Sequence, residues 1–167
     1  MMQKKVQIIS DGSLDLSQEL TKEKDIEVVP FYVSFDSETY QKEMVEVGVR
    51  EFYQEMVDHP TVFPKTSMPS VHDYYEVFEK HAKEQLPVIC ICITRKFSGS
   101  LQSATTAKDM ILEEYPDAQI TVIDSTVNQK AKYVVPVINP TKSYITNFEG
   151  MDIAVDVGLK IIELFYK

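Results

Sequence analysis

Val88-Ile89-Cys90-Ile91-Cys92-Ile93-Thr94 is a continuous apolar run with no polar alternation. It leads at once into Arg95-Lys96-Phe97-Ser98-Gly99-Ser100 and a helical pattern from Leu101 to Tyr115. Strands covered on both faces read this way, so the run predicts an inner strand of a parallel sheet that turns directly into a helix. A Ser-Gly-Ser turn at that junction points backbone N–H groups and two hydroxyls outward, an arrangement suited to an anion.

The same grammar recurs along the chain. Val6 to Ser10 predicts a strand ending in Asp11-Gly12-Ser13, and Leu14-Asp15-Leu16-Ser17 opens a helix to about Lys24. Ile26 to Phe35 reads as a strand that Pro30 breaks or confines to an edge. Glu38 to Gly48 is polar and carries no clear signal. Val49 to Val57 predicts a helix with Phe52, Met56 and Tyr53 inward, ending before His59-Pro60. Phe63 to Ser70 is a proline-bracketed loop containing Thr66 and Ser67, after which Ser70 and Asp73 cap a helix carrying Tyr74, Tyr75, Phe78 and Ala82. Ile120 to Ile123 predicts a last strand, running into Asp124-Ser125-Thr126. Strands alternating with helices imply an α/β fold, a mostly parallel sheet with helices on both faces, whose binding loops gather at the carboxyl ends of the strands. Beyond Val127 the pattern changes. Tyr133 to Ile138 reads as a strand weakened by Pro136, and Met151 to Tyr166 as a terminal helix with Ile153, Val157, Ile161, Leu164 and Phe165 on its apolar side.

Charge and composition remove several function classes. A formal net charge of −9 over 167 residues opposes nucleic acid and anionic membrane surfaces as main partners. No run approaches the roughly 20 apolar residues of a membrane span, so a cytoplasmic protein is expected. Cys90 and Cys92, two apart on one strand, share a face and are expected to be buried and reduced. His59, His72 and His81 lack metal-site spacing and are expected on the surface. Nucleophile-elbow, P-loop and dinucleotide signatures are missing. Asp11 and Asp124, at two strand ends, leave a small metal-dependent hydrolase or phosphotransferase as the catalytic alternative. On the bland reading, Ser98, Gly99, Ser100, Thr66 and Ser67 simply cap helices and form turns. The functional reading rests on three hydroxyl-rich turns falling at corresponding ends of one sheet.

Five motifs, Ser10-Asp11-Gly12-Ser13-Leu14-Asp15, Val28-Val29-Pro30, Pro64-Lys65-Thr66-Ser67-Met68-Pro69-Ser70, Phe97-Ser98-Gly99-Ser100-Leu101-Gln102-Ser103-Ala104 and Val122-Ile123-Asp124-Ser125, in this order and spacing, resemble the DegV family. The resemblance covers about residues 5 to 127. It implies a two-domain bacterial fatty-acid-binding protein of which this chain carries the amino-terminal domain. Some members serve as the lipid-presenting subunit of a fatty acid kinase. The resemblance places Thr66 and Ser98, with Gly99, at the fatty acid carboxylate, and leaves Ser10, Asp11, Ser13, Ser67, Ser100 and Ser125 as further candidates. Departures from the family pattern are Met68 for Gln, Gly12 for Ser, Arg95 for Ser and Ser100 for Thr. A family histidine from the second domain has no counterpart here.

The expectation is thus a lipid-binding domain over 1–127 and an atypical tail over 128–167, whose terminal helix packs on the same domain. The ligand is a long-chain fatty acid, with no catalysis, no cofactor and no metal, and with a kinase subunit or a second copy of the chain as candidate partners. The alternative is a truncated member that keeps the fold and no ligand. Each buried methylene contributes about 0.8 kcal/mol, so the acyl chain sets affinity. Hydroxyl contacts to the carboxylate add about 1.5–3 kcal/mol each and set orientation.

Overall fold

The computed structural model describes residues 6–14 and 16–125. The elements are β1 (Gln7–Asp11), a 3-10 turn (Gly12–Leu14), α1 (Gln18–Glu23), β2 (Ile26–Val29), β3 (Tyr32–Ser34), β4 (Gln41–Lys42), α2 (Val49–Asp58), β5 (Lys65–Ser67), α3 (Val71–Lys83), β6 (Val88–Cys92), α4 (Ser100–Glu114) and β7 (Ile120–Asp124). Four strands form a wholly parallel sheet in the order β2-β1-β6-β7, and β4-β3-β5 form a small antiparallel sheet.

Strand order dictates where the helices go. The chain steps from β1 outward to β2, then returns across β1 to β6 and continues to β7. With right-handed crossovers, that reversal of direction sets α1 on one face and α3 and α4 on the other. It also opens a crevice between the carboxyl ends of β1 and β6, where open parallel sheets take their ligands. On the α3–α4 face, Ile9, Val29, Val88, Cys90, Cys92 and Ile120 pack against Tyr74, Phe78, Ala82, Ala104, Ala107 and Ile111. Fully burying a large aliphatic or aromatic side chain contributes about 1.5–3 kcal/mol, which makes this layer the main source of stability. The Cys90 and Cys92 thiols are free, buried and 3.7 Å apart. The hydrogen bond with Cys92, and then burial, push the Cys90 thiol up, so it stays protonated and unreactive.

Several boundaries differ from the sequence reading. The first helix starts at Gln18, where Ser17 accepts a hydrogen bond from the Leu20 N–H at 3.2 Å; residues 12–14 close a 3-10 turn instead. Ile26 to Phe35 does break at Pro30, and its two halves join different sheets. Lys65-Thr66-Ser67, read as loop, is an exposed strand paired with Ser34, Val33 and Tyr32. His81, expected on the surface, is buried: its Nε2 lies 2.7 Å from the Glu27 carboxylate on β2. A partner 54 positions away in sequence supplies the polar contact that lets an imidazole sit there. The strand expected over 133–138 and the helix expected over 151–166 lie outside the described residues.

Asp73 ties the small sheet to α3. Its side chain completes a reciprocal cap with Ser70 and also meets Lys42 Nζ at 3.0 Å and the Tyr32 hydroxyl at 2.8 Å. Burial alone would raise its pKa, but hydrogen bonds from Ser70, Lys42 and Tyr32 outweigh that and hold the carboxyl down at about 2. A depressed carboxyl stabilises the fold above its unfolded pKa and loses that stabilisation as pH falls through the folded value. Asp73 therefore contributes about 2 kcal/mol that disappears between about pH 4 and pH 2. The exposed Asp36, lowered by backbone N–H groups of Thr39 and Glu38, titrates in the same window. The difference between the parent and Asp73→Asn isolates Asp73: urea midpoints should lie apart at pH 6 and converge toward pH 2. A constant offset over that range would contradict the assignment.

Candidate functional site

Asp11, the last residue of β1, is fully buried at the crevice. Its carboxylate accepts from the Ile93 N–H at 2.9 Å, the Ser100 hydroxyl at 2.7 Å, the Ser13 N–H at 3.3 Å and the Ser13 hydroxyl. Since Ser100 gives its proton to Asp11, the adjoining Tyr74 hydroxyl must donate to Ser100. Burial, foremost, keeps that phenol protonated. One carboxylate thereby fastens the ends of β1 and β6, the 3-10 turn and the start of α4, while Tyr74 brings in α3.

The serines predicted as site residues consequently separate into inner and outer groups. Ser10 is buried and donates to the Ile91 carbonyl at 3.0 Å, and Ser100 is buried between Asp11 and Tyr74. Ser13, Thr66, Ser67 and Ser125 are exposed, and Ser98 and Gly99 are half-buried. Ser98 accepts from the Ser100 N–H at 3.2 Å, a local turn contact; α4 itself is capped at Gly99 with no side-chain cap bond, so the capping role expected of Ser98 is not realised. Two turns are joined through Asp11 and Ser100. The third approaches through Met68, whose sulfur lies 2.6 Å from where a Cβ on Gly99 would stand. The three hydroxyl-rich segments are therefore neighbours.

Beside this cluster, on the α1 side, lies a groove of about 900 Å³. Its floor and walls are Leu14 and Leu16 after β1, Ile26 and Val28 of β2, Pro30, Val33 of β3, Met44, Val45 and Val47 of the segment after β4, and Val49, Phe52 and Tyr53 of α2. Thr66 is its contribution from β5, whereas Ser98 and Gly99 are not among its lining residues. Ser17, the α1 residues Gln18, Glu19, Thr21 and Lys22, and Glu43 add polar groups to the lining. The volume and the mainly aliphatic lining with a few polar groups suit a small apolar ligand. α2 has no buried residue at all, although Phe52 meets Phe35 at 5.2 Å between ring centroids. Its apolar face borders the groove, leaving Val49 51% and Tyr53 59% exposed. The polar stretch 38–48, opaque in the sequence, supplies a further wall; the buried Val47 beside Met44 and Val45 was its only signal.

Gly12 lets the Glu43 side chain close over the groove's inner end. A Cβ there would overlap the Glu43 carboxylate, which is held in place by the Phe31 N–H at 3.0 Å. For metal chemistry the geometry is unfavourable. Asp11 and Asp124 end strands with β6 between them, and the Asp11 carboxylate is already taken up by donors from Ser13, Ile93 and Ser100. Among the described residues no cluster of three potential ligands exists. No helix among them is long and apolar enough to cross a membrane.

Comparison with known proteins points one way. The family model described as "Uncharacterised protein, DegV family" matches residues 5–135. A DegV domain-containing protein of Clostridium perfringens is 32% identical over 126 residues, 75% of this chain and 44% of the relative. Among solved structures, a stearic acid-binding protein from Eubacterium ventriosum is 50% identical with a TM-score of 0.70, over 72% of this chain and 41% of that one. A fatty-acid-binding DegV family protein from Thermus thermophilus is 31% identical with a TM-score of 0.58, over 72% and 41%. The chain spans less than half the length of these relatives.

Proposed function

The chain belongs to the DegV family, and from that premise we propose that it binds a long-chain fatty acid without transforming it. The acyl chain lies in the groove bounded by β2, the 43–48 segment and α2, and the carboxylate is held at the strand ends by the Thr66 and Ser98 hydroxyls with the Gly99 backbone. The observation that carries this reading is the aliphatic groove with Thr66 on its wall, in a chain 50% identical to a stearic acid-binding protein over 72% of its length. Burying a long acyl chain supplies on the order of 10 kcal/mol before ordering costs, which explains why Val28, Val49 and Tyr53 face a groove rather than a core. Residues 1–127 form the lipid-binding unit. Thr66 is exposed, so a carboxyl held there remains within reach of an acyl-activating kinase, which supports presentation to such an enzyme.

Native mass spectrometry after gentle purification tests this reading, and a co-purified or added C16–C18 acid at one per chain is the expected species. A protein that stays empty with excess stearate defeats the reading and favours a member that keeps the fold alone. Thr66→Val with Ser98→Ala should weaken stearate binding at least about tenfold, a charge-assisted hydrogen bond contributing about 1.5–3 kcal/mol. The melting curve should barely move, because Thr66 is exposed and Ser98 half-buried. Unchanged affinity would remove both hydroxyls from the site.

A further inference from the structure

Side chains of the small antiparallel sheet alternate between two faces, and the two faces meet different things. Val33 and Thr66 stand opposite one another in the β3–β5 register, and both line the groove. Tyr32 and Lys42 stand opposite one another in the β3–β4 register, one residue out of step with Val33, and so project from the reverse face. There both reach Asp73 of α3: the Tyr32 hydroxyl donates to Oδ1 at 2.8 Å, and Lys42 Nζ lies 3.0 Å from the same oxygen. The other oxygen, Oδ2, accepts from the Ser70 N–H at 2.8 Å and the Ser70 hydroxyl at 2.6 Å, three residues beyond the end of β5. Asp73, only 7% exposed, is therefore tied to β3, to β4 and to the chain leaving β5. The sheet needs such a tie, because its strands are two or three residues long and every residue of β5 is exposed.

We propose that Asp73 is a positioning residue for the head-group end of the site: by holding the reverse face of the small sheet, it fixes the place of the Thr66 hydroxyl on the groove face. The inference rests on the fatty acid reading above. A hydrogen bond to a ligand counts in full only where the donor is already in place, since ordering it on binding offsets part of the gain. Thr66 is exposed and belongs to an outer strand, so its own packing does not hold it. The backbone ladder sets Thr66 against Val33, and Asp73 in turn sets β3 against α3. Releasing Oδ1 from the sheet weakens the Thr66 contact and largely spares the acyl chain, whose lining comes mostly from β2, the 43–48 segment and α2.

Four proteins, each titrated with stearate, decide the matter: the parent, Thr66→Val, Tyr32→Phe with Lys42→Met, and all three substitutions together. The pair at Tyr32 and Lys42 frees Oδ1 and leaves the Ser70 cap of α3 in place. It should lower stearate affinity about fivefold to tenfold where Thr66 is present and less than about twofold where Val replaces it, because a hydrogen bond already removed cannot be lost again. A sheet that was merely destabilised would weaken binding equally in both backgrounds. Where the pair lowers the yield of folded protein, Tyr32→Phe alone deletes one hydroxyl, keeps the Lys42 contact and runs the same cycle, with a loss of about threefold confined to the Thr66 background. Equal losses with and without the Thr66 hydroxyl, or no loss in either, overturn the positioning role and leave the fatty acid reading standing. No stearate binding by the parent defeats that reading and this inference together.

Discussion

Asp11→Asn should destabilise the domain by about 3–5 kcal/mol, a large share of an ordinary domain's stability. The carboxylate is fully buried and accepts from Ile93, Ser100 and both donors of Ser13, and its two oxygens face donors on both sides. An amide keeps one oxygen and turns its NH2 toward donors that then have no acceptor, so the penalty is paired loss and repulsion rather than one missing bond. Ser100→Ala, which leaves the Ile93 and Ser13 contacts in place, should cost only about 1–2 kcal/mol. Urea unfolding checks both. An Asn variant within about 1 kcal/mol of the parent would mean that the junction of β1, β6 and α4 is held by something other than Asp11.

The second large effect concerns the groove. Val28→Asp combined with Val49→Asp should lower stearate affinity at least about 100-fold, because an acyl chain laid beside two carboxylates must desolvate them or give up its own burial. Stability should change little, for Val28 is 36% and Val49 51% exposed, and an acidic residue in the first turn of α2 interacts favourably with the helix dipole. Isothermal titration of the folded variant decides it. Parent-like affinity would place the acyl chain elsewhere.

Much of this architecture was legible in the residues. The unbroken apolar run from Val88, the reciprocal cap at Ser70 and Asp73, and the break at Pro30 are local signals, and each one was realised where local chemistry put it. The first helix was misplaced by several residues because Ser13 and Ser17 are equally good caps by type. The choice fell to Asp11, which draws Ser13 into a 3-10 turn and leaves Ser17 to start α1. β5 was invisible because Lys65, Thr66 and Ser67 are all exposed and alternate in nothing; pairing with β3, more than 30 residues earlier, makes them a strand. The same non-locality hid the buried state of His81, which depends on Glu27. Nor does the sequence distinguish Ser98 from Ser100, two hydroxyls of one turn. Only the fold shows that Ser100 is committed to Asp11 and Tyr74, while Ser98 stays half-buried.

The most direct test is to locate the acyl chain. A stearic acid analogue carrying a photoreactive diazirine near its methyl end, irradiated in complex with the protein and mapped by peptide mass spectrometry, reports what the tail touches. Adducts within 26–33 and 43–53, the stretches that wall the groove, and competed away by unlabelled stearate, are the predicted result. Adducts confined to the outer surfaces of α3 and α4, or labelling that stearate does not compete, would contradict it.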